Sequence, residues 1–207
     1  MTGRSTVLRR LADRAFEHPL VYRMLQAPFH ERKLAPFLRR LHQSPATRVL
    51  DVGCGPGTNA AHFTDVAYTG VDINPDYIAN AQRRFPGRFL VGDVTDPAVL
   101  PAEQFDCVLL NSLMHHLDDD AVTGLLGRLD RFLTPGGSIH ILDLVLPPHW
   151  GAARALARLD RGRFARPIAQ WTALFERAMH VDVLEQYPLG IPGIPLWQMV
   201  YCAGRPR

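Results

Sequence analysis

The spacing of apolar positions changes character at Thr47. Before it, from Arg4 to Leu41, apolar residues recur at helical intervals (Val7, Leu8, Leu11, Ala15) and Pro19, Pro28 and Pro36 interrupt them, which predicts two or three short helices. From Thr47 to Pro147, short apolar runs alternate with amphipathic stretches. The runs Arg48–Val52, Ala67–Asp72, Arg88–Val91, Phe105–Asn111 and Ser138–Val145 read as strands, and Thr58–Thr64, Pro75–Phe85 and Ala121–Phe132 as helices. Strands that are apolar almost throughout, separated by helices, belong to a parallel sheet covered on both faces, so a doubly wound α/β fold is expected. After Pro147 and Pro148, two further helices (Gly151–Leu159 and Ile168–Ala178) precede two strands, Val181–Tyr187 and Leu196–Cys202, joined by a Pro/Gly-rich connection at Pro188–Pro195. With no helix between them, these strands should pair antiparallel. The expected organisation is one domain over residues 1–207: a helical cap (1–44), a core (45–147), and a variable helical insert with the final strand pair (148–207).

Composition adds limits to this picture. Hydrophobic residues make up 47% and charged residues 21%, as in ordinary globular domains. The net charge is +3, but the arginines are scattered and form no basic stripe with interleaved aromatics, so a nucleic-acid partner is not expected. Cys54, Cys107 and Cys202 lie in apolar runs at wide spacing, which suits reduced core thiols and a cytoplasmic protein. No apolar run is long enough to span a bilayer or to serve as a signal peptide. The oligomeric state has no signature in the sequence.

The first strand ends in VLDVGCGPGTNAA, with Gly53, Gly55 and Gly57 at the turn into the next helix. In open α/β sheets ligands bind beyond the carboxyl ends of the strands, where glycines let the backbone come close and a helix start offers free N–H groups. Asp72 closes the second strand and Asp93 the third, and an acid after the second strand suits the hydroxyls of a ribose. Either acid alone could be a helix cap or a turn residue; the succession of three is not explained by capping. A nicotinamide dinucleotide would require G-x-G-x-x-G, and the third glycine position holds Thr58.

With these motifs in hand, residues Thr47 to Val145 resemble the class I S-adenosylmethionine-dependent methyltransferases. The resemblance implies a Rossmann-like, seven-stranded, mostly parallel sheet with an antiparallel last strand, and S-adenosylmethionine as cofactor. It also implies that Asp51, Gly53, Gly55 and Gly57 carry the methionine part, Asp72 the ribose, Ile73 a face of the adenine, and Asp93 with the Val94 backbone the adenine edge. The LTPGG turn at Leu133–Gly137 is another feature shared with that family.

The fourth strand runs into NSLMHHLDDD, which places Asn111 and Ser112 beside the cofactor and His115 and His116 on the acceptor side. The N-S-L-M sequence departs from the N-P-P-Y of methyltransferases acting on amines of bases or glutamine, and paired histidines resemble the branch acting on quinone precursors and related natural products. A small organic acceptor methylated on oxygen or carbon is therefore expected. Histidine titrates near neutrality, so His116, or less directly His115, is the candidate general base. Adjacent histidines should point apart, so no metal is expected. Tyr22, His30, Trp150 and Arg163 are candidate lid or substrate residues. Two other readings share the fold: a protein that uses the bound cofactor in another reaction such as a cyclisation, and a non-catalytic binding protein.

Overall fold

A computed structural model describes residues 29–43, 46–96, 99, 103–160 and 162–207. The expected cap therefore enters it only through helix α1 (His30–Gln43); the helices expected before residue 29, and Tyr22 with them, lie outside the described residues. The order continues β1 (Arg48–Val52), β2 (Ala67–Asp72), α2 (Pro75–Arg84), β3 (Arg88–Val91), β4 (Phe105–Asn111), α3 (Asp119–Leu126), β5 (Leu133–Val145), α4 (Ala152–Leu159), α5 (Ile168–Ala178), β6 (Met179–Ile191) and β7 (Ile194–Pro206). The seven strands form one sheet in the order β3-β2-β1-β4-β5-β7-β6. β1 to β5 pair parallel, and β7 inserts antiparallel to both β5 and β6.

Alternation along the strands divides the core. Leu50, Val52, Val108, Leu110, Ile139 and Ile141 point to the face covered by α3 and α5, whereas Val49, Cys107, Leu109 and Leu142 point to the face covered by α1 and α2. Both faces are dry, which is why the central strands could be read as continuous apolar runs. All three cysteines are buried free thiols, as their apolar settings suggested. Among the described residues no helix is long and apolar enough to cross a membrane.

Four boundaries differ from the sequence reading. The expected helix at Thr58–Thr64 is a five-residue 3-10 turn, Thr58–His62, closed by Phe63 N to Ala60 O at 3.1 Å. Its Asn59 side chain is drawn inward to Asp51, so the glycine loop does not open into a long helix with free N–H groups. Helix α3 starts at Asp119 because the Asp118 carboxylate caps it through Ala121 N at 2.9 Å, and it stops at Leu126, with a separate 3-10 turn at Leu129–Phe132. The Leu133–Gly137 segment is a bulged start of β5 rather than a turn ahead of it: Phe105 pairs with Leu133, but Cys107 already pairs with Ser138. The final strands run through the expected Pro/Gly connection to a two-residue turn at Pro192 and Gly193, with Gly193 at φ 78°. Edge strand β6 tolerates Pro188 because it pairs on one side only.

The segment after α4 is fastened to the sheet by a buried arginine that sequence reasoning passed over. Arg166, 2% exposed, donates to Asp119 Oδ1 (2.7 Å), to the carbonyls of Met114 (3.1 Å) and Phe164 (3.0 Å), and to Leu117 O (2.7 Å), and its guanidinium lies over Trp171. Arg166→Met would remove the donor from three carbonyls, that of Met114 in a buried bond. The expected loss is about 3 kcal/mol, or a Tm lower by roughly 6–12 °C in a chain of this size, measurable by thermal denaturation.

Candidate active site

The carboxyl ends of β1, β2 and β4 form a cradle specified largely by backbone. Gly53, Gly55 and Gly57 all take left-handed φ values of 75°, 55° and 78°. A Cβ on Gly53 would sit 2.8 Å from Leu113 Cδ1 and one on Gly57 2.7 Å from Ala81 Cβ, whereas one on Gly55 would meet nothing within 4 Å. Packing thus requires the outer two glycines, and the middle one faces open space. Gly55 N donates to Asp72 Oδ2 (2.8 Å) and Asn74 N to Asp72 Oδ1 (2.9 Å), so the acid fixes the loop while retaining lone pairs on both oxygens.

Below the loop runs a buried polar chain. Asn111 Nδ2 donates to Asn59 Oδ1 (3.0 Å), Asn59 Nδ2 to Asp51 Oδ2 (2.9 Å), and the Tyr68 hydroxyl to the same carboxylate oxygen. Burial pushes the Asp51 carboxyl up to about 6, although the bonds from Tyr68 and Asn59 favour its ionised form. Asp51 Oδ1 and Asn111 Oδ1 are buried acceptors without a protein partner among the described residues. Such atoms cost about 1–3 kcal/mol each when unsatisfied, and a ligand bearing an ammonium group would answer them. At the rim, Ile73 is 65% exposed next to Asp72, Val94 is buried in the core, and exposed Asp93 accepts from Thr95 N and Oγ1 through one oxygen.

Beside the cradle, at the end of β5, a second cluster is ionic. His115 Nδ1 lies 2.6 Å from Asp143 Oδ1, and His115 Nε2 lies 3.1 Å from Asp160 Oδ1, an ion pair out of line for a hydrogen bond. Asp143 also accepts from Met114 N (2.8 Å) and Leu144 N (2.7 Å). Burial alone would lower the His115 pKa, but Asp143 and Asp160 outweigh it and raise it to about 9; in return Asp160 is held down at about 2 and Asp143 below the usual range. Gly162 is required here, because a Cβ would fall 1.9 Å from the His115 ring.

Between the two lies a narrow pocket, with a cavity volume of about 20 Å³. Lys33 of α1, Ser112, His115 and Asp160 supply its polar side, and Phe29, Leu144, Leu189, Trp197 and Met199 its apolar walls. Ser112 has φ 55°, an uncommon conformation for a residue with a side chain, and its hydroxyl accepts from Lys33 Nζ.

The sequence matches the family model of a methyltransferase domain over residues 49–137. An uncharacterised methyltransferase of Mycobacterium tuberculosis is 40% identical over 104 residues, 48% of this chain and 51% of that protein. A trans-aconitate 2-methyltransferase of Methylobacterium radiotolerans is 31% identical over 175 residues, 73% of this chain and 65% of that protein. The crystal structure of the N-methyltransferase NodS from Bradyrhizobium japonicum, in complex with S-adenosylhomocysteine, superposes with a TM-score of 0.69 at 17% identity, over 95% of this chain and 97% of that one. Residues 49–137 form a methyltransferase domain of the class I S-adenosylmethionine-dependent kind. It spans about half the length of the curated relatives it matches most strongly.

Within this methyltransferase fold, the residues read from the sequence as cofactor-binding gather at one edge: Asp51, Gly53, Gly55, Gly57, Asp72, Ile73, Asp93, Val94, Asn111 and Ser112 all lie at or just beyond strand ends β1 to β4. The acceptor-side expectations fare differently. His116 is exposed and does not line the pocket; His115 lines it with both ring nitrogens turned to carboxylates, which favour its charged form. The two rings do not point apart, as adjacent side chains were expected to: a 3-10 turn at Met114–His116 brings their centroids to 4.2 Å, and donor atoms of His115, His116 and Asp160 lie within 4.8 Å of one another. Trp150 is 76% exposed under the guanidinium groups of Arg154 and Arg158, Arg163 is exposed, and neither lines the pocket. His30 stacks on His62 at 5.7 Å, outside the pocket wall. Lys33, Asp143, Asp160, Asn59 and Tyr68 went unread; the acid inside the apolar run ILDLV was the signal for Asp143.

The ionic cluster has a pH signature. A histidine raised from 6.5 to about 9 contributes stability that is complete below pH 6.5 and lost as pH rises through 9. The stability gap between the protein and its His115→Leu variant, measured by denaturant titration, should be full at pH 6 and shrink towards pH 9. A constant gap would mean that His115 is neutral.

Proposed function

We propose that this chain transfers the methyl group of S-adenosylmethionine to an oxygen or carbon atom of a small organic acceptor, leaving S-adenosylhomocysteine. The observation that carries this reading is the adjacency of cradle and pocket: Leu113 packs against Gly53 of the loop, and its neighbour Ser112 lines the pocket.

The residues present fit the cofactor. The unanswered acceptors of Asp51 and Asn111 suit its ammonium group, the open face of Gly55 admits its methionine chain, Asp72 suits the ribose hydroxyls, and Ile73 with Asp93 and the Val94 backbone suits the adenine. When bound, S-adenosylmethionine supplies an electrophilic methyl group on a positively charged sulfur. Displacement at such a carbon asks chiefly for alignment, and positioning can contribute roughly 7–11 kcal/mol. The apolar walls of the pocket exclude water and hold the acceptor's body, and the Ser112 hydroxyl is placed to orient its reacting end. The relative named for trans-aconitate supports a small organic acceptor.

Calorimetric titration should show saturable one-to-one binding of both S-adenosylmethionine and S-adenosylhomocysteine. Asp72→Ala removes a charged hydrogen-bonding group worth roughly 1.5–3 kcal/mol, so it should weaken both by about ten- to a hundredfold. Absence of binding to either compound, or an unchanged affinity in Asp72→Ala, would overturn the assignment. Mass spectrometry of a turned-over acceptor must show one added methyl group.

A further inference from the structure

Of the 23 basic residues in the chain, 22 are arginines, and Lys33 is the single lysine. It is also one of the few buried charges, 9% exposed on α1. Its backbone is held in place: Tyr187 donates to Lys33 O (2.6 Å), and the neighbouring Arg32 donates to Gly190 O (2.6 Å), which ties this turn of α1 to β6. Its ammonium group donates to Ser112 Oγ. Among the described residues no carboxylate lies within ion-pairing distance of Nζ. Asp143, Asp160 and Asp51 act on it from farther away, and two of them are already committed, Asp143 and Asp160 to His115.

A buried ammonium with one neutral hydrogen-bond partner lowers stability, because its lost hydration is not repaid. Ser112 has its own hydroxyl proton available, for it accepts from Lys33 and can donate elsewhere. Two donors therefore converge on one side of the pocket; His115 and Asp160, its other polar lining, face each other as an ion pair at 3.1 Å, and the remaining walls are Phe29, Leu144, Leu189, Trp197 and Met199.

We propose that Lys33 and Ser112 form the anion-binding end of the acceptor pocket, so that the acceptor is an acid: a small apolar or aromatic body carrying an ionised oxygen, a carboxylate or an acidic phenol. The ionised oxygen accepts from Lys33 Nζ and Ser112 Oγ, and the apolar body lies against Trp197 and Met199. This rests on the proposed methyltransferase activity and narrows its substrate class. It also accounts for the lack of a free histidine base in the pocket, because an oxygen that arrives ionised has no proton to remove.

The single lysine makes a direct test possible. Protein labelled with 13C at lysine Cε gives one side-chain signal. With S-adenosylhomocysteine bound, a panel of benzoate, cinnamate and hexanoate is titrated beside the corresponding neutral amides. The expected result is that at least one acid shifts the Lys33 signal and binds ten times or more tightly than its amide. In Lys33→Met that preference should vanish, with S-adenosylhomocysteine affinity unchanged and Tm no lower than in the parent. Ser112→Ala should reduce the preference without removing it. Equal binding of acids and amides, no acid binding in advance of its amide, binding that leaves the lysine signal in place, or a preference that survives in Lys33→Met would each overturn the proposal. Failure of the parent protein to bind S-adenosylhomocysteine would instead count against the methyltransferase reading itself.

Discussion

Asp143 is a carboxylate with no exposed surface at the end of a central strand, and the surroundings must answer it on every side. They do so with two backbone N–H groups and one imidazolium. The Met114 N–H and the His115 ring both come from the turn after β4, so the acid of β5 dictates how the chain leaves β4. That turn is a tight 3-10 segment, and Ser112 just before it is carried into a left-handed conformation with its own N–H on Leu142 O at 2.8 Å. A residue with a side chain loses about 1–3 kcal/mol in such a conformation, and the bonds on both flanks hold it there. The result is a hydroxyl aimed at the pocket from a rigid piece of backbone.

The same constraint propagates outward. Once His115 is charged and turned towards Asp143, its far nitrogen faces Asp160, which anchors the segment after α4, and the lack of a side chain at Gly162 lets that segment close over the ring. Arg166 completes the closure from behind by collecting the carbonyls of the His115 turn. Buried ion pairs add little net stability compared with apolar packing; what they supply here is a defined arrangement for the polar groups of a turn whose Leu113, Met114 and Leu117 pack into the core.

The strands β1 to β4 were legible to the residue because a parallel sheet buried on both faces leaves an unbroken apolar record, and the glycine loop was legible because left-handed backbone restricts residue choice. Features that depend on one side chain reaching across the fold were not. The shortened turn at Thr58–His62 follows from Asn59 bonding to Asp51, a contact without periodicity. The late hairpin was read too short because Pro188 and Pro195 suggest loops, while at the sheet edge they are accommodated. Arg163 and Arg166 look alike in sequence, yet one is exposed and the other buried with its guanidinium over Trp171; only tertiary contact separates them. Of the histidine pair only His115 lines the pocket, and its protonation is governed by Asp143 and Asp160, which lie 28 and 45 positions downstream.

The two halves of the site are also built from different materials. The cradle is made of backbone amides, glycine conformations and a buried Asn–Asn–Asp chain, all within residues Asp51 to Asn111, where a change of side chain alters the shape of the loop itself. The pocket is made of side chains from α1, the β4 and β5 ends, the segment after α4, and β6 and β7, which meet only in three dimensions. Substituting Leu189 or Trp197 would reshape the pocket without touching Gly55 or Asp72. The cradle is therefore insulated from the pocket, and the two meet at Asn111 and Ser112, where one residue completes the cradle and the next opens the pocket.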